Sequence, residues 1–117
     1  MPADNPTIFG KILRGEIPSN RVWEDDHCIA FRDISPAAPT HVLIIPRKLI
    51  PTLADANEGD KELLGHMLLV AGEIARQEGV VDDGFRVVIN ANVDGGQTVY
   101  HLHMHVLGGR RLGWPPG

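Results

Sequence analysis

The chain has 117 residues, so we expect one domain over residues 1–117, with residues 1–6 as a flexible tail. Its 43% hydrophobic and 22% charged residues are typical of a soluble globular protein, and a formal net charge of −4 gives no general attraction to nucleic acid or to anionic membrane. The sequence shows no apolar run that spans a bilayer and no secretory leader, so we expect a cytoplasmic protein, with the nucleus as an alternative in a eukaryotic source.

The first half of the chain predicts a short helix followed by three strands. Thr7 is a typical N-cap residue, and the apolar residues after it recur with helical spacing. Residues 21–24 and 28–33 predict a β-hairpin, because they flank a turn-like pair of aspartates. Residues 41–46 predict a third strand, and residues 35–39 predict a loop because they contain two prolines.

The second half predicts one long helix and two strands. Apolar residues recur with a period near 3.6 over residues 57–78, which predicts the main helix. Residues 85–90 predict a fourth strand and residues 94–97 a turn. Residues 100–107 predict a fifth strand.

Four residues of these elements carry further expectations. Gly65 and Gly72 share one face of the long helix, which suggests close approach of another backbone, such as a symmetry-related copy. His66 lies on the polar face of the same helix and is expected to be solvated. Cys28, the only cysteine, excludes an internal disulfide and is expected to be a small buried hydrophobe.

Three histidines that alternate with apolar residues are the strongest chemical signal. His101, His103 and His105 should share one exposed or cleft-facing side of a strand, while the residues between them pack into the core. Three adjacent titratable rings stabilise a sheet poorly, since charged rings repel and desolvated rings lose their water partners. The pattern therefore favours a chemical role.

A zinc site is the main alternative for these histidines. Two of the three rings could bind one tetrahedral ion. The three positions nevertheless span about 13 Å along an extended strand, so one ion could hardly bind all of them. We therefore expect no catalytic metal and no other cofactor.

The loop before the histidines predicts phosphate chemistry. Gly95 and Gly96 allow consecutive amides to face an anion, and the side chains of Gln97 and Thr98 add donors, although a hairpin turn alone also explains the glycines. A neutral imidazole is a good nucleophile near pH 7, so one ring could form a covalent phospho-histidine. The flanking rings could then orient it and donate a proton to the leaving group.

The sequence resembles the histidine triad (HIT) superfamily, and in particular its nucleotide-binding HINT branch. Residues 100–110 resemble the superfamily signature. The segments that are similar to the HINT branch are residues 7–12, 30–36, 38–41, 45–46 and 94–97. The resemblance implies an α+β domain with an antiparallel sheet, a short N-terminal helix and one long helix. It also implies a homodimer whose sheet continues across both protomers, and purine nucleoside phosphoramidase activity.

The resemblance also implies roles for the three histidines and for one aspartate. His103 would attack the α-phosphorus of a purine nucleotide and form a nucleotidyl-histidine. His101 would support it, and His105 would bind the phosphate and assist the leaving amine. Asp33 would accept hydrogen bonds from the ribose diol, while its alternative role is to start a turn.

Further substrate-binding residues follow from the same resemblance. Those implied at the phosphate are Asn90, Gly96 and Thr98, with Gln97 as a neighbour. Those implied at the base are Ile8, Phe9, Ile12, Phe31 and Ile34. The apolar tail with Trp114 is expected near the site. Leu49 departs from many animal members, which have histidine there, and threonine replaces the usual serine at position 98.

Two alternatives to this hydrolase stay open. The chain could be a nucleotide-binding scaffold whose main role is an interaction, with weak residual hydrolysis. Dinucleoside polyphosphate hydrolysis is less favoured, because Gly108, Gly109 and Arg110 match the HINT pattern better.

Overall fold

The computed structural model describes residues 5–117. Its helices are α1 (Ile8–Leu13) and α2 (Lys61–Gln77), and short 3-10 turns lie at Leu53–Asp55 and Glu58–Asp60. Its strands are β1 (Arg21–Glu24), β2 (Cys28–Arg32), β3 (Thr40–Pro46), β4 (Phe85–Val88) and β5 (Met104–Gly108). No helix within residues 5–117 is both long enough and apolar enough to cross a membrane.

The five strands form one antiparallel sheet in the order β1-β2-β3-β5-β4. The α+β architecture predicted from the resemblance is therefore confirmed. Strand β4 is an edge strand, while β3 and β5 lie side by side near the middle of the sheet. This pairing brings residues 40–44 beside residues 104–108.

Alternation along the strands divides the core between the two faces of the sheet. On one face, Val42 and Ile44 of β3 and Met104 of β5 pack with the apolar side of α2. On the other face, Leu43 and Ile45 pack with residues of α1. Because Leu43 pairs with His105, the His105 side chain belongs to the α1 face of the sheet.

The long helix and the fourth strand are shorter than their patterns predict. The long helix begins at Lys61 instead of residue 57, because Asn57 and Asp60 form a capping box around a tighter 3-10 turn. Strand β4 ends at Val88 instead of residue 90. Its last partner is His105, and β5 begins only one residue before that position.

Candidate active site

The histidine segment is a strand only in its second half. Residues 100–107 were predicted as strand, but β5 begins at Met104, so His101 and His103 precede the sheet ladder. The chain leaves the ladder there because the Leu102 amide donates to the Ile50 carbonyl oxygen at 2.7 Å. The predicted burial of the intervening apolar residues is confirmed. Of the two alternatives for the histidine row, the exposed row is wrong, because His101 is 0% exposed and His103 is also buried. His105 lines a cleft.

His101 is held by two hydrogen bonds that fix its tautomer. Its Nε2 lies 2.8 Å from the Pro46 carbonyl oxygen, which can only accept, so Nε2 carries the proton. Its Nδ1 accepts from the Asn5 side-chain amide at 2.8 Å, and Asn5 Oδ1 is occupied by the Thr7 amide and hydroxyl. Burial lowers the pKa of His101. The ring is therefore neutral and fully hydrogen-bonded, which suits a supporting role.

Asn5 lies in the segment that was predicted to be a flexible tail. It is instead buried and bonded to a residue 96 positions away in the chain. The prediction for residue 5 is wrong because local composition cannot reveal a long-range partner. Residues 1–4 of that predicted tail lie outside the described residues.

His103 presents an unprotonated nitrogen. Its Nδ1 lies 2.8 Å from the His101 carbonyl oxygen and must donate to it, so the lone pair is on Nε2. Burial lowers the pKa of His103, although this carbonyl contact and the Asp33 charge oppose the effect. A neutral ring with a free Nε2 is the form that a nucleophile requires.

His105 has the opposite tautomer to His103, and a chain of hydrogen bonds sets it. The Ala37 amide donates to Nδ1 of His41 at 3.0 Å, so the His41 proton is on Nε2. That nitrogen lies 2.9 Å from Nδ1 of His105, which accepts. The His105 proton is therefore on Nε2. Burial, followed by the neighbouring His103 and His41, lowers the pKa of His105 to about 4.

His41 is a site residue that the sequence reasoning did not single out. Its ring is buried, and its centroid lies 5.2 Å from that of His105. The available signal was its position in β3, where alternation places residue 41 on the same face as Leu43. What the sequence could not supply is the pairing of β3 with β5.

Asp33 lies beside this histidine pair. One carboxylate oxygen accepts from the Ser35 amide at 2.8 Å, and the other lies 3.5 Å from His41 Nε2. Asp33 therefore starts a turn, as its alternative role predicted, and also faces the candidate catalytic rings. The two roles coexist because a carboxylate offers about four acceptor sites.

The residues expected at the base divide into two groups. Phe9, Ile12 and Phe31 are buried together, and the Phe9 ring meets the His103 ring edge-on with centroids 4.9 Å apart. Ile8 is half-exposed, and Ile34 is 97% exposed. The structure therefore brings Phe9 to the triad, with Phe31 packed against Phe9, and leaves the two isoleucines accessible.

The glycine-containing loop has strong structural constraints of its own. A Cβ on Gly95 would lie 2.4 Å from the Ala91 carbonyl oxygen, and Gly96 has a φ of 82°, in the region that favours glycine. Gln97 is buried, and its amide donates to the carbonyl oxygens of Pro51 and Val99. The expectation that the Gln97 side chain donates to an anion is therefore wrong here, because the loop already uses that donor.

A cleft of about 460 Å³ opens beside His105. Its lining includes His41, His105 and Asn90, together with residues of the C-terminal tail. Gly96, Gln97 and Thr98 are outside this lining, and Thr98 is exposed. Gly113, Pro115 and Pro116 of the tail belong to this lining, whereas Trp114 is outside it and is 83% exposed.

The triad does not form a metal-binding group among residues 5–117. Two other trios of ligand-type side chains have their ligand atoms within 4.8 Å of one another. One is Asp33, His41 and His105, at the cleft, and the other is Asp25, Cys28 and His66. The cleft trio already has a complete chain of hydrogen bonds, so its geometry requires no ion.

Sequence comparison assigns the chain to a family. Residues 14–112 match the HIT domain, and the chain belongs to the HIT domain family. The chain is 59% identical over 107 residues to a purine nucleoside phosphoramidase of Escherichia coli, covering 92% of this chain and 90% of that protein. It is 58% identical over 111 residues to an uncharacterized HIT-like protein of Synechococcus elongatus, covering 95% and 96%.

Solved structures agree with this assignment. A HIT family hydrolase from Legionella pneumophila superposes with a TM-score of 0.92 at 54% identity, covering 94% of this chain and 98% of that chain. A histidine triad nucleotide-binding protein from Candida albicans superposes with a TM-score of 0.79 at 31% identity, covering 93% and 82%. The family expected from the histidine pattern is therefore confirmed.

Proposed function

We propose that this chain is a purine nucleoside phosphoramidase that hydrolyses the P–N bond of adenosine or guanosine 5′-phosphoramidates. The observation that carries the mechanism is the opposite protonation of two neighbouring rings, whose centroids lie 5.1 Å apart. His103 offers a lone pair on Nε2, while His105 offers a proton on Nε2. A nucleophile and a proton donor on adjacent rings suit the cleavage of a bond to a basic leaving group.

In the first step, His103 Nε2 attacks the α-phosphorus. The P–N bond breaks, and the leaving nitrogen takes a proton from His105. A neutral imidazole is too weak an acid for this step, so His105 must act as an imidazolium. The negative charge of the bound phosphate opposes the lowered pKa of His105, which lets the ring take up a second proton before it transfers the Nε2 proton and returns to its neutral form. The Asp33 carboxylate, whose ligand oxygen lies within 4.8 Å of both His41 and His105, can stabilise that added charge.

In the second step, water hydrolyses the nucleotidyl-histidine. His105, now without its transferred proton, accepts one from the attacking water. The bond from phosphorus to His103 Nε2 breaks, which releases the nucleoside monophosphate and restores both rings. His101 supports His103 through the carbonyl contact and its own buried hydrogen bonds.

Substrate binding is assigned to the residues around these rings. The base would lie against the aromatic cluster of Phe9 and Phe31, and Asp33 would accept from the ribose diol. Asn90 and the Thr98 hydroxyl would donate to the phosphate and Gly96 would contact it, while Gln97 holds the loop. No metal or other cofactor enters these steps.

We also propose a homodimer that is joined through α2 and the β4 edge. Leu68 and Leu69 on α2 are exposed, the latter by 74% of its surface. A Cβ added at Gly65 would meet nothing within 4 Å, so no contact among the described residues requires glycine at this position. The open edge of β4 can continue the sheet into a second copy.

The cytoplasmic location and the lack of a nucleic-acid partner stay predictions.

The mechanism is tested with a substrate labelled at the α-phosphorus. Acid quenching during turnover should trap an acid-labile nucleotide on the wild-type protein. His103→Ala should trap none and should turn over at less than about a tenth of the wild-type rate, because the covalent route is lost. Nucleoside monophosphate binding, measured by calorimetry, should survive as the control for an intact site.

Two outcomes would contradict this mechanism. The first is retained turnover in His103→Ala, and the second is loss of activity with EDTA followed by rescue with zinc. Nucleotide binding without turnover by the wild-type protein would favour the scaffold alternative.

A further inference from the structure

A second cluster of ligand-type side chains joins the β1–β2 turn to helix α2. It contains the half-buried Asp25 in the turn, the fully buried Cys28 at the start of β2, and His66 on α2. One oxygen, one sulfur and one nitrogen from these side chains lie within 4.8 Å of one another. His66 was expected to be solvated, but its Nε2 instead lies 2.7 Å from Asp25 Oδ2. The proposed hydrolysis uses none of these residues.

The Asp25 carboxylate is held in place independently of the helix. Its Oδ2 accepts from the Trp23 indole nitrogen at 2.8 Å. Its Oδ1 accepts from the amides of His27 at 2.7 Å and Cys28 at 2.9 Å. Contacts of this kind orient a metal ligand before the ion binds. The carboxylate would therefore stay aimed at His66 if the hydrogen bond between them were lost.

The separations of the ligand atoms are close to those around a tetrahedral zinc ion. Zinc bonds of roughly 2.0 to 2.3 Å place neighbouring ligand atoms about 3.3 to 3.8 Å apart. The Asp25 Oδ2 to Cys28 Sγ distance is 3.7 Å, which already fits. The distance from Oδ2 to His66 Nε2 must open from 2.7 Å by roughly 0.6 Å or more. That movement is open to His66, whose side chain is 36% exposed.

We propose that Asp25, Cys28 and His66 bind a zinc ion that fastens the β1–β2 turn to α2. On binding, the Cys28 thiol loses its proton to solvent and forms the S–Zn bond. The His66 proton moves from Nε2 to Nδ1, so that Nε2 becomes the ligand. The thiolate and the carboxylate together balance the charge of Zn²⁺, which removes the cost of an unpaired ion in a largely buried site.

Two further features fit this site. Solvent reaches it along the exposed parts of Asp25 and His66, which provides an entry path. The exposed His27 ring meets the His66 ring edge-on, with centroids 5.3 Å apart, and offers a further imidazole at the open side.

The test uses the full, tag-free chain after treatment with a chelator, and Co²⁺ as the probe. A thiolate bound to tetrahedral Co²⁺ gives a sulfur-to-metal charge-transfer band, and Cys28 is the only cysteine that can produce it. We expect the band to saturate at one equivalent of Co²⁺ and to disappear when Zn²⁺ displaces the probe. Zn²⁺ at about 100 times its Kd should also raise the unfolding midpoint by roughly 5 to 10 °C.

Three variants separate this site from other metal binding. Cys28→Ser should lose the band, and His66→Asn should weaken Co²⁺ binding tenfold or more. His105→Asn, which removes a ligand from the trio at the cleft, should keep both the band and the affinity. Circular dichroism checks that each variant folds, and His66→Asn decides the test if Cys28→Ser does not fold.

The proposal is overturned if the wild-type protein gives no thiolate band. It is also overturned if His66→Asn binds Co²⁺ with wild-type affinity, or if Zn²⁺ stabilises His66→Asn as much as the wild type. Either of the last two results would mean that the contact between Asp25 and His66 is a hydrogen bond only.

Discussion

Acidification should destabilise the fold through the neutral histidines of the active site. The pKa of His105 lies at about 4, against an ordinary value of 6.5, because the ring is buried beside other imidazoles. Between these two values the unfolded chain binds a proton at this position that the folded chain does not. Stability therefore falls as the pH drops below 6.5, and the His105 contribution is fully lost near pH 4.

The size of this effect follows from the difference between the two pKa values. At about 1.4 kcal/mol for each pH unit, His105 alone should cost roughly 3 kcal/mol of unfolding free energy between pH 6.5 and 4. His101 and His103, whose pKa values are also lowered by burial, add to the same trend. The total is a large part of the ~5 to 15 kcal/mol that stabilises a typical domain.

Urea unfolding followed by circular dichroism at fixed protein concentration measures this loss. The comparison is between the wild type and His105→Asn, whose side-chain oxygen can still accept the His41 hydrogen bond. The variant should lose about 3 kcal/mol less than the wild type as the pH falls from 6.5 to 4. Hydrogen bonds lower the pKa of Glu78 and Asp60, but these carboxylates are common to both proteins and cancel in the difference. Equal losses in the two proteins would refute the reasoning.

Further predictions concern the leaving group, the ribose, the dimer and the tail. His105→Asn should slow phosphoramidate cleavage by about 10²- to 10⁴-fold. The same variant should slow hydrolysis of a nitrophenyl ester of the nucleotide by less than tenfold, because nitrophenolate leaves without a proton. Equal losses of the two rates in a steady-state assay would reject His105 as the donor. Asp33→Ala should raise KM for ribonucleotide substrates and narrow their preference over 2′-deoxy analogues by roughly 1 to 3 kcal/mol. If the preference between these two substrates were unchanged, Asp33 would have its turn role only. Gly72→Leu should give monomers in light scattering, because a branched side chain would hold the paired helices apart, whereas a monomeric wild-type protein at micromolar concentration would contradict the dimer. Deleting residues 114–117 should change the preference among leaving amines, and identical preferences would exclude the tail from the site.

The family assignment could be read from the sequence because its signals are local. The alternation at His101, His103 and His105 is a property of seven consecutive residues, and the side-chain period of an extended chain divides them between two faces. The structure agrees that the intervening apolar residues pack against α2. The elements were likewise found from their periodicity, while their ends shifted wherever a cap or a strand partner decided them.

The protonation of the rings was decided by tertiary structure. His101 is neutral and fixed because Asn5 and Pro46, far away in the chain, meet its two nitrogens. His105 presents a proton only because β3 brings His41 to its other nitrogen across 64 positions of sequence.

Sequence and tertiary structure thus determine different properties of this protein. The sequence by itself determined which residue types alternate and therefore which chemistry is available. Pairing between distant strands decided which nitrogen of each ring holds the proton, because a tautomer is set by its hydrogen-bond partner and that partner is brought near only by folding.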